Sequence, residues 1–442
     1  MLATVATFAN RQIAASSLLR PLLRTLPVPH DLARVTDIDR NAEVEENAVG
    51  LPKGTVDAIW QAAENLYCTG FYPAIMLCLR RRGKIVMNRA IGYASGYLDE
   101  STGKPGKTPV NVTTNTPACI YSASKAITAM AIHKLAEQRK IDLLDPVAHY
   151  IPEFAARGKE RLNIYQILSH RGGVPGIPVD EPAETVADHA RMLELICAAE
   201  PLCSHGRAQA YHALTGGPIL QEIIERVTGQ PLRNYWREHF KQPMGFRFLD
   251  YGATPEDFAL MARDYICGAK LPGAINRYLK EFLAIDAGKD AHLLNRYQFF
   301  VDPIAAGNMV GTAEELSRFF QMLLDNGRYE DKQIVAPLTV QHATLENSPH
   351  RIDGVLKIPL RFSAGMMMGG ERFGLYGRRT ERAFGHLGLV NILGWADPER
   401  DISVGLLTTG KPLLAHNLPF FALLVEAISG KMPRDGVQRR SR

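Results

Sequence analysis

Apolar residues along the chain fall into two strand-like zones separated by a long helical stretch. Residues 73–79 and 84–91 are short apolar runs split by Arg80-Arg81-Arg82-Gly83. That pattern predicts a β-hairpin, with the arginines and the glycine at its turn. A second hairpin is predicted near the C-terminus, from 389–395 and 402–407, around the Pro- and charge-rich segment 397–401. Between the hairpins the period lengthens to that of a helix. Residues 122–139 carry Ile127, Met130, Ala131 and Leu135 on one face. Residues 215–228 carry Ile219, Leu220, Ile223, Ile224 and Val227, then stop at Gly229. Residues 313–325 carry Leu316, Phe319, Phe320 and Leu323 before Asn326-Gly327, and 417–429 form a last apolar helix.

Strand zones at both ends predict one mixed sheet closed by the two ends of the chain, with the helical stretch as an insertion. No internal repeat is evident. The expected organisation is an N-terminal arm (1–54), a discontinuous α/β sheet domain (55–121 with 300–430), a mainly helical domain (122–299) and a C-terminal tail (431–442). Segments 31–54 and 431–442 read as flexible or peripheral.

Composition changes this picture little. The 442 residues are 46% hydrophobic and 22% charged, with a formal net charge of +5. Arg80–Arg82 and the tail Arg439-Arg440-Ser441-Arg442 are the densest basic spots. Neither makes the basic face that a nucleic-acid binder presents, so nucleic acid is not an expected partner. The six cysteines, Cys68, Cys78, Cys119, Cys197, Cys203 and Cys267, form no C-x-x-C pair and no metal-ligand spacing. Neither metal nor organic cofactor is expected. Scattered thiols in apolar contexts suit a reducing, cytoplasmic compartment. Residues 2–9 are mostly apolar without a preceding Lys or Arg, whereas Arg11, Arg20 and Arg24 follow with no acidic residue before Asp31. This arm reads as a surface segment, with weak membrane-surface contact as the alternative. No run reaches the ~20 apolar residues of a membrane span.

The chemistry begins at Ser122-Ala123-Ser124-Lys125. Ser and Lys three residues apart on a helix share a face. Serine attacks only when something removes its proton, and lysine can do so only when desolvation leaves it neutral. At a helix start the serine N–H is unpaired and can face an oxyanion. Ser101-Thr102-Gly103-Lys104 has the same spacing but runs into Pro105-Gly106, where no helix face exists. Tyr211, in Tyr211-His212-Ala213-Leu214-Thr215-Gly216-Gly217, is a second candidate. Its reference pKa of about 10 makes it a poor base unless cations lower it, and a tyrosine packed at a helix start is the plainer account. The third piece is Phe384-Gly385-His386-Leu387-Gly388-Leu389. Gly388 lets a substrate approach the strand, the Leu389 N–H can donate to an oxyanion, and His386 can contact the acyl or leaving group. His170-Arg171-Gly172 matches the same loose H-x-G pattern and shows how little three residues say alone.

Taken together and in this order, the three pieces resemble the serine beta-lactamase and penicillin-binding-protein superfamily, and within it the family VIII carboxylesterases and class C beta-lactamases. The resemblance covers roughly residues 55–430. It includes Ile141-Asp142-Leu143-Leu144-Asp145-Pro146, Leu168-Ser169-His170-Arg171-Gly172-Gly173 and the glycine-rich turn at Gly307 to Leu316. It implies an α/β (α+β) fold, an antiparallel sheet flanked by helices with an inserted helical domain. It also implies that Ser122 is acylated, Lys125 and Tyr211 handle its proton, and His386-Leu387-Gly388 takes the place of the family's K-T-G or H-x-G triad. The oxyanion hole would be the N–H groups of Ser122 and Leu389. Two departures matter: Ala213 stands where the family's Y-x-N has Asn, and His386 stands for Lys. Both favour a small-molecule neutral ester over penicillins or D-Ala-D-Ala peptides. Remaining readings are a beta-lactamase or D-alanyl-D-alanine carboxypeptidase, an acyltransferase on the same site, and a catalytically silent scaffold.

Overall fold

The computed structural model describes residues 23–435 apart from 99–105, 107, 179, 203–205, 284–285, 287–290, 349, 373 and 414–417. The N-terminal arm up to residue 22, Ser101 to Lys104, Cys203 and the basic end of the tail lie outside the described residues.

Both predicted hairpins form. The first is β2 (Ala74–Arg81) and β3 (Lys84–Ser95), which follow the edge strand β1 (Thr36–Ile38) and helix α1 (Thr55–Tyr67). Its turn is narrower than expected: Arg82 and Gly83 alone make it, with φ of 53° and 78°. Arg81 therefore belongs to the strand, and its side chain is fully buried. It donates to the carbonyls of Val49, Arg400 and Pro433 and to Asp435. The described parts of the segments read as peripheral, 31–54 and 431–435, are thus part of the fold. Thr36–Ile38 pairs with Arg89 to Ile91, and Pro433 and Asp435 close over the hairpin end.

The late strands are three. β4 (Val110–Asn111), β5 (Ala118–Cys119), β6 (Asp250–Tyr251), β7 (Met309–Gly311) and β8 (Met367–Met368) come first in the chain. Then follow β9 (Phe384–Gly388), β10 (Ile392–Asp397) and β11 (Ile402–Thr408). The expected strand 389–395 begins only at Ile392, because Leu389 to Asn391 form a turn in which Val390 and Asn391 take left-handed φ of 46° and 65°. The main sheet has eight strands in the order β8-β9-β10-β11-β2-β3-β1, with β4 paired to β3. Every pairing in it is antiparallel, not mixed. β11 from the C-terminal zone hydrogen-bonds β2 from the N-terminal zone, Leu406 opposite Leu77, so both ends of the chain do close one sheet.

Alternation along β2 explains its continuous apolar run. Ile75, Leu77 and Leu79 enter one core, and Ala74, Met76 and Cys78 the other. A strand covered on both faces has no polar side. One face carries α1 and the last helix, Leu418–Lys431. The other carries Ala313–Leu324, whose start lies so close that a Cβ on Gly405 would meet the Ala313 carbonyl at 2.1 Å. A smaller sheet, β5-β7-β6, ties the segment before Ser122 to the stretch after the helical insertion. Its central strand donates from Met309 N–H to Ser124 Oγ at 3.2 Å. The helices predicted around residues 127–135 and 219–227 are α2 (Ser124–Glu137) and α3 (Gly216–Thr228). The latter ends at left-handed Gly229. Among the described residues no helix is long and apolar enough to cross a membrane.

Candidate active site

Ser122 lies in a single turn of 3-10 helix, Tyr121–Ala123, that runs directly into α2. Within the stretch 121–133 it is the one residue that is not buried. One turn on, Lys125 extends along the same face, and its Nζ donates to Ser122 Oγ at 3.0 Å and to the Ala306 carbonyl at 2.7 Å. The lysine is 8% exposed and has no carboxylate partner among the described residues. Burial alone pulls its amine down from 10.5 to about 7. An ammonium loses its hydration there without gaining a counter-charge, so the neutral form is populated at neutral pH.

Tyr211 comes from the loop that leads into α3. Its ring centroid is 5.3 Å from Lys125 Nζ. The phenol interacts with the Ser122 hydroxyl outside ordinary hydrogen-bond geometry, and its oxygen has no other partner among the described residues. Burial is the largest influence on this phenol and pushes it above its usual value, which makes it a neutral group and not a resting phenolate. Its backbone is pinned by buried Asp353, whose Oδ1 accepts from the N–H groups of Tyr211, Val355 and Leu356 at 3.1, 2.9 and 2.9 Å.

His386 reaches the same place from β9. Its ring lies 6.0 Å from that of Tyr211, Nδ1 bonds to the Leu387 carbonyl at 2.7 Å, and Nε2 is buried without a partner among the described residues. Burial, helped by the positive Lys125, pushes the imidazole down to about 3. It is therefore neutral. β8 pairs with Phe384 and Gly385, so among the described residues 386–388 have no ladder neighbour on that side. Gly388 abuts the serine turn: a Cβ there would sit 2.5 Å from the Ile120 carbonyl. Leu389 follows as the first residue of the turn. Ser122, Lys125, Tyr211, His386 and Gly388 thus converge from three distant stretches of chain, with Leu389 at the strand end beside them.

His170 belongs to this cluster too, although its H-x-G match taken alone says little. Its ring is 4.6 Å from Tyr211, 5.6 Å from His212 and 6.5 Å from His386. Its Nδ1 accepts from the His212 N–H at 3.1 Å. The chain reverses at His170, with φ of 56°, and turns its ring inward. Periodicity carries no sign of such a reversal, so only the match to the family's post-helix loop pointed here. With Lys125, Thr128 and Leu220, His170 and His212 line one small cavity. Ala213 is buried and brings no polar side chain to its position. Asp353 and His212 gave no signal in sequence, because each acts through contacts made by loops far apart in the chain.

One group among the described residues has metal-ligand geometry, His189, Glu222 and Glu225, with ligand atoms within 4.8 Å. Glu222 already pairs with His189 at 2.8 Å and Arg226 at 2.6 Å, and none of the three touches the serine cluster.

Known proteins resemble this chain in sequence and in fold. The esterase/beta-lactamase LipL of Mycobacterium tuberculosis is 29% identical over 299 residues, spanning 65% of this chain and 68% of that one. The crystal structure of a penicillin-binding-protein homologue from Caulobacter crescentus superposes with a TM-score of 0.71 at 23% identity, over 87% of this chain and 99% of that one. A family VIII carboxylesterase superposes with a TM-score of 0.70, again at 23% identity and over 87% and 99% of the two chains. Residues 61–425 match the beta-lactamase family, so this chain is a member of that family of serine hydrolases.

Proposed function

We propose that the chain is an esterase that works through an acyl-Ser122 intermediate. The observation that carries this reading is the 3.0 Å approach of a desolvated, unpaired lysine amine to the one accessible serine of a buried turn. Neutral Lys125 takes the proton as Ser122 Oγ attacks the ester carbonyl carbon. The N–H groups of Ser122 and Leu389 receive the oxyanion. The tetrahedral intermediate then collapses, the C–O bond breaks, and the neutral Tyr211 phenol passes a proton to the departing alcohol and recovers one from Lys125. Water attacks the acyl-serine by the reverse relay and releases the acid.

Three features support an ester over a beta-lactam or D-Ala-D-Ala peptide. Ala213 offers no amide to hold a substrate amide. Neutral His386 offers no fixed positive charge to a substrate carboxylate. The Tyr211 side chain lies in an apolar cluster with Val355, Leu360 and Phe362, against which Phe282, Leu283 and Leu387 pack, a setting for short to medium acyl chains. The free thiols of Cys78, Cys119, Cys197 and Cys267, all buried, support a reducing cytoplasmic setting. A chain-length series of p-nitrophenyl esters, run beside a chromogenic cephalosporin, tests the assignment. Ester turnover that Ser122→Ala abolishes is expected. Cephalosporin turnover outpacing every ester would replace this reading with a beta-lactamase, and ester turnover retained in Ser122→Ala would remove Ser122 from the mechanism.

A further inference from the structure

The residue just before the serine is strained and anchored. Tyr121 has φ of 47°, a left-handed conformation that a bulky L-residue adopts only when its surroundings impose it. Its side chain is buried, and Tyr121 Oη donates to Asp264 Oδ2 at 2.5 Å. The other oxygen of that carboxylate lies 2.9 Å from Lys411 Nζ. Lys411 is wholly buried, donates to the Thr408 carbonyl at 2.7 Å at the end of β11, and stands 5.1 Å from the Tyr121 ring centroid. Asp264 is itself clamped: its N–H donates to Asn295 Oδ1 and its carbonyl accepts from Asn295 Nδ2, both at 2.8 Å. Burying an ion pair is expensive and rarely adds stability over an apolar replacement. Among the described residues neither Asp264 nor Lys411 bonds to Ser122, Lys125 or Tyr211.

Resting on the reading of Ser122 as nucleophile, we propose that Tyr121, Asp264 and Lys411 are positioning residues that fix the strained turn and thereby aim the Ser122 hydroxyl and N–H. The phenol ties the turn to the carboxylate, and the carboxylate ties it through Lys411 to the sheet. Without the tie the φ of residue 121 relaxes and both Ser122 groups swing together. A misplacement of about 1 Å at a reacting atom lowers rate on the order of a hundredfold.

The test is the rate at which a fluorophosphonate labels Ser122, because this readout does not depend on the substrate class. Tyr121→Phe, which removes one oxygen, should label roughly ten to a hundred times more slowly than the unmodified chain. Its kcat on an ester should fall by the same factor at an unchanged KM, with the melting temperature within a few degrees. Adding Asp264→Asn to Tyr121→Phe should lower the labelling rate little further, because groups in one network are not additive. A Tyr121→Phe rate equal to that of the unmodified chain would overturn the proposal, even if Asp264→Asn fails to fold. Absence of labelling in the unmodified chain would instead remove the nucleophile assignment beneath it.

Discussion

Lys125 Nζ stands 3.0 Å from Ser122 Oγ with no carboxylate partner among the described residues, unlike buried Lys411. Lys411 has Asp264 at 2.9 Å, and Lys159 donates to the carbonyls of Ala156, Cys197 and Ala199. Burial without a counter-charge, with a serine hydroxyl in hydrogen-bond reach, is what makes Lys125 a candidate base.

The first prediction is a pH profile. With the amine near 7, kcat/KM for a p-nitrophenyl ester should rise with pH about a midpoint close to 7, as Lys125 loses its proton. Lys125→Arg, which cannot deprotonate, should lose about 10²–10⁴ in rate at neutral pH. A flat profile from about pH 5.5 to about 8.5 would exclude Lys125 as the base.

The same depressed amine predicts a stability effect. A lysine lowered from 10.5 to about 7 binds fewer protons folded than unfolded between those values, so its contribution to stability rises with pH through that window. Below about 7 the full penalty of a buried charge remains, on the order of 5 kcal/mol. Lys125→Met should therefore gain more melting temperature over the unmodified chain at pH 6 than at pH 9. Equal differences at the two pH values would contradict the depressed amine.

Gly388→Ala should impair the site without unfolding the chain. The added Cβ would meet the Ile120 carbonyl at 2.5 Å and Ile392 Cβ at 2.8 Å, so the strand must withdraw from the serine turn. A loss of about 1–3 kcal/mol in stability is expected, with a larger proportional loss of kcat. Unchanged ester turnover would show that the strand end plays no part.

Arg81→Ala should destabilise by about 3–5 kcal/mol, measured by denaturant unfolding. It leaves the carbonyls of Val49, Arg400 and Pro433 without their shared donor, while Asp435 keeps only Arg82. Truncation after Met432 should reproduce part of that loss. A truncated chain as stable as the full one would restore the view of the tail as peripheral.

What the sequence determined by itself was whatever depends on near neighbours. Periodicity located the first hairpin and the helices around Ile127, Ile223 and Phe319, because a side chain's face follows from its spacing along the backbone. Ser122 and Lys125 were legible for the same reason, being one turn apart on one helix. The tertiary structure alone decided what depends on distant chain. Arg81 read as part of a turn because the carbonyls that bury it come from residues 49, 400 and 433. His170 read as a coincidence because its neighbours Tyr211, His212 and His386 lie far along the sequence. The depressed amine of Lys125 and the anchored strain at Tyr121 exist only once helix, sheet and loops exclude water around them, since desolvation is a property of the packed surroundings and not of the residue.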